Sequence, residues 1–143
     1  MKCYLDSNVY ISSARKEIDP KLNILFHYSD LFFAKCRTNK VTLVLSRLFF
    51  DEIGKTISLN KQDILQFMNE AKINYEIVEE IKQFKKEALR IQNKTGLHLA
   101  DSFHAAIACS SQCHHIITWN KKDFEKTETI LPCLTPEEFI SIF

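Results

Sequence analysis

Four acidic residues spread along the chain each follow or border an apolar segment, and they are Asp6, Glu52, Asp101 and Asp123. Carboxylates that converge on one point repel one another, so a cation is needed to compensate their charge. Because they are hard oxygen ligands and no cluster of cysteine and histidine accompanies them, the ion expected is Mg²⁺ or Mn²⁺ rather than zinc. Such a centre can activate water and stabilise the charge that develops when a phosphodiester is hydrolysed.

Each acid taken by itself also has an ordinary structural explanation. Asp6 comes directly after the apolar run Cys3-Tyr4-Leu5, where an aspartate commonly caps the start of a helix. Asp101 lies at the N-terminal end of a predicted helix, where a carboxylate interacts favourably with the helix dipole. Asp123 follows the run that ends at Thr118, and an ordinary loop and helix start would explain it equally. The convergence of all four acids, rather than any one of them, predicts the site.

Glu52 lies six residues after Ser46, which ends the second apolar run. In a helix that begins near Ser46, Leu48 faces the core, and Glu52 lies one turn later at the border of that apolar face. A carboxylate at such a border is costly unless it is paired or binds a metal. The adjacent Asp51 is interpreted as a solvated surface acid, so Glu52 is the predicted ligand.

The elements that must position these acids are short apolar runs that alternate with longer helical patterns. The strand candidates are residues 3–5, 41–45, 73–78, 115–118 and 130–131. Apolar positions at steps of three and four predict helices over residues 22–33, after residue 60, over 77–91, over 99–111 and after residue 135. This order predicts a three-layer α/β/α sandwich around a mostly parallel sheet of about four to five strands. In such folds ligands bind beyond the carboxyl ends of the strands, where Asp6 and Asp123 fall.

Three signals mark where predicted helices begin or end. Asn60 is a plausible N-cap, and Gly96 supplies a stop. Thr135-Pro136-Glu137-Glu138 is a capping box with proline at the first helical position.

Composition excludes several classes of protein. The 143 residues carry a net charge of +1 and are 45% hydrophobic and 26% charged, as in a single-domain soluble globular protein. The two glycines, Gly54 and Gly96, are too few for a Rossmann-type dinucleotide site or a P-loop. No apolar run approaches the roughly 20 residues that span a bilayer, and no signal-peptide pattern is present. We therefore expect a cytoplasmic protein without a membrane partner.

Cysteine and histidine are not predicted to bind metal. The five cysteines form no CxxC pair and are interpreted as buried free thiols. Four histidines, which are His98, His104, His114 and His115, are interpreted as structural or surface residues. None of them forms an i, i+4 pair on a helix.

Four short pieces of the sequence, taken in order, resemble the PIN-domain ribonucleases, especially the VapC-like toxins of bacterial and archaeal toxin–antitoxin pairs. They are Leu5-Asp6-Ser7-Asn8, Ser46 with Glu52, Ala100-Asp101 with His104-Ala105-Ala106, and Thr118-x-Asn120-x-x-Asp123-Phe124. Each piece is weak, whereas the ordered set is fairly specific. The resemblance spans nearly the whole chain and implies a single PIN domain over residues 1–143.

The resemblance also implies an activity, a cofactor and partners. It implies cleavage of single-stranded RNA with Mg²⁺ or Mn²⁺ held by the four acids, and polar support from Asn8, Thr118 and Asn120. Some members of the family carry aspartate where this chain has Asn120, which leaves open whether one or two ions bind. Family toxins form homodimers and bind a cognate antitoxin whose C-terminal segment can block the site.

The predicted function is therefore a Mg²⁺- or Mn²⁺-dependent endoribonuclease, the toxin of a toxin–antitoxin pair. Lys121 and Lys122 are candidates for contact with RNA phosphate, although a solvated turn would explain them equally. The main alternative is a catalytically inactive PIN-like module that binds RNA or protein, and the presence of all four acids argues against it. A haloacid-dehalogenase phosphatase would need a second aspartate at Asn8, and a DNA flap-type nuclease would need a larger chain.

Overall fold

Five parallel strands form one sheet in the order β3-β2-β1-β4-β5. The computed structural model describes residues 1–143. The strands are β1 (Lys2–Leu5), β2 (Thr42–Ser46), β3 (Asn74–Val78), β4 (His115–Ile117) and β5 (Cys133–Leu134). Because β1 is the central strand and lies between β2 and β4, the carboxyl ends of these three strands are neighbours.

Eight helices connect and cover the strands. They are α1 (Ser7–Ala14), α2 (Leu25–Thr38), α3 (Arg47–Ile57), α4 (Lys61–Glu70), α5 (Lys85–Thr95), α6 (Leu99–Ser110), α7 (Lys121–Phe124) and α8 (Pro136–Ile142). Single 3₁₀ turns precede α5 and follow α7. No helix is both long and apolar enough to cross a membrane.

The sheet separates two hydrophobic cores, because successive residues of a strand point to opposite faces. Cys3 and Leu5 of β1 pack into one core with the buried side chains of α1, α2, α3, α4 and α8. Tyr4, which lies between them, packs into the other core with α5 and α6. Both faces are covered, which explains why β1 and β2 are apolar runs without polar alternation. The predicted α/β/α sandwich with a parallel sheet is confirmed.

The predicted helix ends are confirmed at three places. Asn60 caps α4 by accepting a hydrogen bond from the backbone N–H of Asp63 at 2.9 Å. Thr135 and Glu138 form the capping box of α8, with Pro136 at its first position. Gly96 ends α5 in the left-handed conformation, with φ of 75°, which glycine adopts without steric cost.

Three boundaries differ from the prediction. The helix predicted from residue 22 begins at Leu25, because Leu22 has a left-handed φ of 65° that a helix does not accommodate. The last strand comprises residues 133–134 rather than 130–131, because the backbone N–H groups of Ile130 and Leu131 both donate to the carbonyl of Thr127 and close a turn. The helical pattern over 77–91 is divided, because Ile77 pairs with Leu45 in the sheet and α5 begins only at residue 85. The i, i+4 spacing from Ile77 onward is compatible with either arrangement, so pairing with β2 decided it.

The C-terminal helix is held to the core by Phe139, whose buried ring makes an edge-to-face contact with Phe32 of α2 at 5.1 Å between centroids. We predict that Phe139→Ala lowers the free energy of unfolding by about 3–5 kcal/mol, because it leaves a cavity between α2 and α8. Urea unfolding measures the change. Ile142→Ala on the same helix is the control; this side chain is 61% exposed, and its loss is expected to cost less than about 0.5 kcal/mol. Equal effects of the two variants would contradict the assignment of Phe139 to the core.

Candidate metal centre

The candidate site lies at the carboxyl edge of the three central strands. Asp6 follows β1, Ser46 is the last residue of β2, and Thr118 follows β4. The backbone N–H of Asp6 donates to the carbonyl of Ile117 at 3.0 Å, so the ends of β1 and β4 are joined just where their polar residues begin. Sheet pairing therefore brings together side chains that are more than 100 positions apart.

Asp6 is a buried carboxylate with two hydrogen-bond donors. Only 7% of the residue is exposed. Its Oδ2 accepts a hydrogen bond from the hydroxyl of Thr118 at 2.7 Å and another from the amide of Asn8 at 3.3 Å. Asp6 occupies the N-cap position of α1, but its side chain makes no capping hydrogen bond. The capping explanation of this residue therefore fails, and its carboxylate faces the strand ends.

Asn8 and Thr118 form a bridge between the ends of β1 and β4. The side-chain carbonyl of Asn8 accepts the backbone N–H of Trp119 at 3.0 Å, and its amide donates to Thr118 Oγ1 at 3.1 Å. Thr118 Oγ1 also accepts the backbone N–H of Asn120 at 3.0 Å. These contacts orient the threonine hydroxyl toward Asp6. A supporting role of Asn8 and Thr118 at a metal site stays a prediction.

Glu52 reaches the same edge from α3. Its Oε2 accepts a hydrogen bond from the hydroxyl of Ser7 at 2.7 Å, and its Oε1 lies 2.9 Å from Nε2 of His104. The adjacent Asp51 is exposed and lies 3.7 Å from Arg47, one turn earlier on the surface of the helix. Glu52 rather than Asp51 therefore faces the site, as its position on the apolar border indicated.

His104 belongs to this cluster, although the sequence interpretation placed it among structural or surface residues. Ligand atoms of Asp6, Glu52 and His104 all lie within 4.8 Å of one another. The histidine is 4% exposed, and its Nδ1 is hydrogen-bonded to the buried hydroxyl of Tyr4. Its spacing of three from Asp101 puts both residues on one face of a helix. That spacing was the signal in the sequence that could have identified it.

Asp101 and Asp123 lie outside this group of three but are electrostatically close to it. Asp101 is in the first turn of α6, half-buried, whereas Asp123 is exposed in α7 and bonded to the amide of Asn120. Burial and the negative charge of Asp123, with a smaller contribution from Asp6, raise the pKa of Asp101 above its ordinary value. The negative charges of Asp6 and Asp123 therefore both act on Asp101.

The electrostatics of the buried residues follow from burial and from their partners. Burial raises the pKa of Asp6, and Glu52 adds to this, while His104 and Thr118 oppose it. Burial also acts to raise the pKa of Glu52, but the hydrogen bond and the positive charge of His104 outweigh the effect of burial, so the pKa of Glu52 is lowered. Burial alone would lower the pKa of His104, yet Glu52, Asp6 and Asp101 together raise it. The cluster thus has an excess of negative charge that attracts a cation.

The two lysines near the site differ in their contacts. Lys121 Nζ donates to both carboxylate oxygens of Glu138 in α8, at 3.0 and 2.8 Å. Lys122 is exposed and makes no ion pair. Of the two candidates for contact with phosphate, Lys122 is the one whose ammonium is free.

The donor set fits a hard divalent cation. Asp6, Glu52, Asp101 and Asp123 offer carboxylate oxygens, which Mg²⁺ and Mn²⁺ prefer, and Asp6 remains buried with hydrogen-bond donors on one oxygen only. Nε2 of His104 is already occupied by its contact with Glu52. As the side chains are placed, the ligands available to an ion are therefore the acids.

The raised pKa of Asp6 gives a prediction for the protein without metal. When the pKa of a carboxyl is higher in the folded chain than in the unfolded chain, its contribution to stability is full below the unfolded pKa, which is 3.8 for Asp6. That contribution is lost as the pH rises through the folded pKa. Asp6→Asn should therefore raise the melting temperature at pH 7, measured by calorimetry in chelator, and the gain should shrink as the pH falls toward 3.8. Asp51→Asn controls for loss of an exposed acid. A lower melting temperature for Asp6→Asn at pH 7 would contradict this account.

Comparison with known proteins identifies the fold. No protein-family model matches the sequence, and no curated protein matches it. Among solved structures, a chain of a toxin–antitoxin complex from Klebsiella pneumoniae is similar with a TM-score of 0.62 and 16% identity, over 94% of this chain and 97% of that chain. A chain of VapBC-1 from nontypeable Haemophilus influenzae has a TM-score of 0.60 and 20% identity, over 96% and 99%. At these identities the likeness establishes the fold alone, and that fold is consistent with the VapC-like PIN domain which the sequence motifs indicated.

Proposed function

We propose that this protein is a Mg²⁺- or Mn²⁺-dependent endoribonuclease that hydrolyses phosphodiester bonds of single-stranded RNA, with residues 1–143 acting as one PIN domain. The observation that carries the proposal is the buried carboxylate of Asp6, which faces the carboxyl edge of the sheet within 4.8 Å of a ligand atom of Glu52. A buried acid next to a second acid is costly unless a cation is present. The fold shared with chains of toxin–antitoxin complexes supports the same proposed function.

The proposed ligands of the ion are Asp6, Glu52, Asp101 and Asp123, and their four elements approach the edge from different directions. Asp6 is the most rigid, since Thr118 and Asn8 hold its Oδ2. Glu52 is held by Ser7 and His104, and Asp123 by Asn120. A Mg²⁺ or Mn²⁺ ion held by these residues would supply a Lewis acid for the phosphate charge and for activation of water. The amide at position 120 contributes no charge, which favours one strongly bound ion over two.

The RNA would approach from the exposed side of the edge, where Asp123 and Lys122 lie. Lys122 provides a cation for a backbone phosphate, and Lys121 provides one if its ion pair with Glu138 opens. The competing function is an inactive PIN-like module that binds RNA or protein. The two functions differ because an inactive module neither cleaves RNA nor needs a metal.

Nuclease activity is tested with purified protein, single-stranded RNA and Mn²⁺ or Mg²⁺. We expect cleavage that a chelator abolishes. Asp6→Asn and Glu52→Gln should each lower the cleavage rate by more than the roughly 100-fold that loss of an outer-shell partner can cause. Asp51→Asn is the matched control, because it removes an exposed acid next to Glu52 that faces away from the site.

Two outcomes would contradict the nuclease proposal. Equal cleavage by the wild type and Asp6→Asn would mean that the activity belongs to a contaminant. Binding of RNA with unchanged affinity in chelator, and no cleavage with either ion, would identify the protein as the inactive module instead.

A toxin role is a further part of the proposal, and it comes from the neighbours that are described as toxin–antitoxin and VapBC structures. We propose a cognate antitoxin as the protein partner and a homodimer as the assembly. Induced expression of the wild-type chain in bacteria should arrest growth, because cleaved RNA blocks translation, whereas Asp6→Asn expressed to the same level should not. Growth curves with immunoblots of expression measure this. Normal growth with active wild-type protein would remove the toxin role and leave the nuclease proposal intact.

A further inference from the structure

A chain of buried polar side chains lies behind the acids and ends on Glu52. Ser46 Oγ lies 2.8 Å from the hydroxyl of Tyr4, that hydroxyl is bonded to Nδ1 of His104, and Nε2 of His104 lies 2.9 Å from Glu52 Oε1. Tyr4 and Ser46 are fully buried, and His104 is 4% exposed. These residues come from β1, β2, α6 and α3, so the chain of contacts crosses four elements.

The chemistry of the groups sets the direction of each hydrogen bond. The carboxylate of Glu52 can only accept, so Nε2 of His104 carries a proton. When the imidazole is neutral, Nδ1 is an acceptor and the hydroxyl of Tyr4 donates to it; when the imidazole is protonated, Nδ1 donates to the oxygen of Tyr4, and Nε2 donates to Glu52 in both states. Burial raises the pKa of Tyr4 well above its ordinary value, so that hydroxyl keeps its proton. Ser46 accepts the backbone N–H of Phe49 at 3.3 Å as the N-cap of α3 and donates to Tyr4.

We propose that His104 is a positioning residue, held by Tyr4 and Ser46, which fixes the carboxylate of Glu52 in the place where it binds the metal ion. This inference rests on the proposed metal-dependent function. His104 thereby connects α6, which carries Asp101, to α3, which carries Glu52. We expect this contact to keep the two acids at a fixed distance from each other.

Glu52 needs such a partner because only one other side-chain hydrogen bond holds it beside Asp6. Its side chain is 42% exposed, so it can turn toward solvent, and the negative charge of Asp6 favours that movement. Ser7 is its other hydrogen-bond donor, through Oε2. Loss of the histidine would leave a flexible carboxylate with a single tether, and the ion would have to order it on binding.

The rival role for His104 is direct ligation of the ion through Nε2, since that atom lies in the cluster with Asp6 and Glu52. A nitrogen that binds a cation carries no proton, so the proton of the neutral ring would then be on Nδ1. The two roles therefore require opposite tautomers. They also differ in whether an amide can replace the imidazole, because an amide N–H can donate to a carboxylate but does not ligate Mn²⁺ as an imidazole does.

The test compares the Mn²⁺ affinity of the full-length wild type with that of His104→Gln, His104→Asn and a control variant. Electron paramagnetic resonance measures the concentration of free Mn²⁺ in each titration. In His104→Gln the amide nitrogen reaches the position of Nε2 and can donate to Glu52, whereas in His104→Asn it reaches only the position of Nδ1. We expect His104→Asn to weaken Mn²⁺ binding by about 10- to 100-fold and His104→Gln to restore most of that loss. His114→Gln is the control; His114 is exposed and precedes β4, at the opposite edge of the sheet.

A second measurement does not depend on how the variants fold. Nitrogen-15 NMR of the metal-free wild type, at a pH where His104 is neutral, should show the proton on Nε2 with Nδ1 as an acceptor. The same tautomer should persist when diamagnetic Mg²⁺ is added.

Tyr4→Phe, which removes the donor to Nδ1, should lower Mn²⁺ affinity by less than about tenfold. Tyr75→Phe, which removes a hydroxyl bonded to Asn69 on the surface, should leave the affinity unchanged.

The outcomes separate this inference from the proposed function. If the wild type binds no Mn²⁺, the metal-dependent function fails and the inference fails with it. If the wild type binds Mn²⁺ but His104→Gln and His104→Asn bind it equally well, the metal centre stands and the positioning role is wrong. A proton on Nδ1 in the wild type, or its transfer to Nδ1 when Mg²⁺ is added, would assign His104 as a direct ligand and overturn the inference.

Discussion

The repulsion among carboxylates at one edge of the sheet is the constraint on which the rest of the site depends. Asp6 is buried there, Glu52 lies beside it, and Asp101 has its pKa raised by burial and by the nearby acids. Such a group of charges is unfavourable in a fold without compensation. The protein reduces the cost with neutral donors, of which Thr118 contacts Asp6 most closely. The remaining excess of negative charge is what would make a divalent cation bind.

The parallel sheet makes this arrangement possible because it sends several strand ends to one place. β1, β2 and β4 are adjacent, and after its first residue each is apolar until its last residue or the one after it. The polar residues therefore begin together at one edge, while the two cores on either face of the sheet stabilise the strands that carry them. Helices that follow β2 and β4 carry Glu52 and Asp123, and α6, which precedes β4, carries Asp101. The proposed ligands therefore come from four elements, and their spacing depends on the packing of the whole chain.

The buried hydrogen bonds behind the acids connect a helix cap to Glu52, which is a proposed metal ligand. Ser46 caps α3 through the backbone of Phe49 and contacts Tyr4, and Tyr4 contacts His104. Every polar atom in this chain of contacts has a partner, which is the condition under which buried polar groups are tolerated. The contacts join the start of α3 to the middle of α6, so a change in the packing of either helix would be transmitted to Glu52.

The sequence by itself determined the fold class and the helix caps at Asn60 and Thr135, and it predicted four acids as the ligands of a metal site. These are local properties, since they depend on apolar runs, on capping residues and on motifs of a few positions. Only the tertiary structure decided that His104 lies against Glu52, that the carboxylate of Asp6 does not cap α1, and that Ile77 belongs to a strand. Each of these depends on a partner distant in the chain, and residue type and spacing do not specify which distant groups will meet. Packing of α6 against the sheet brings a histidine and a tyrosine 100 positions apart into one hydrogen bond.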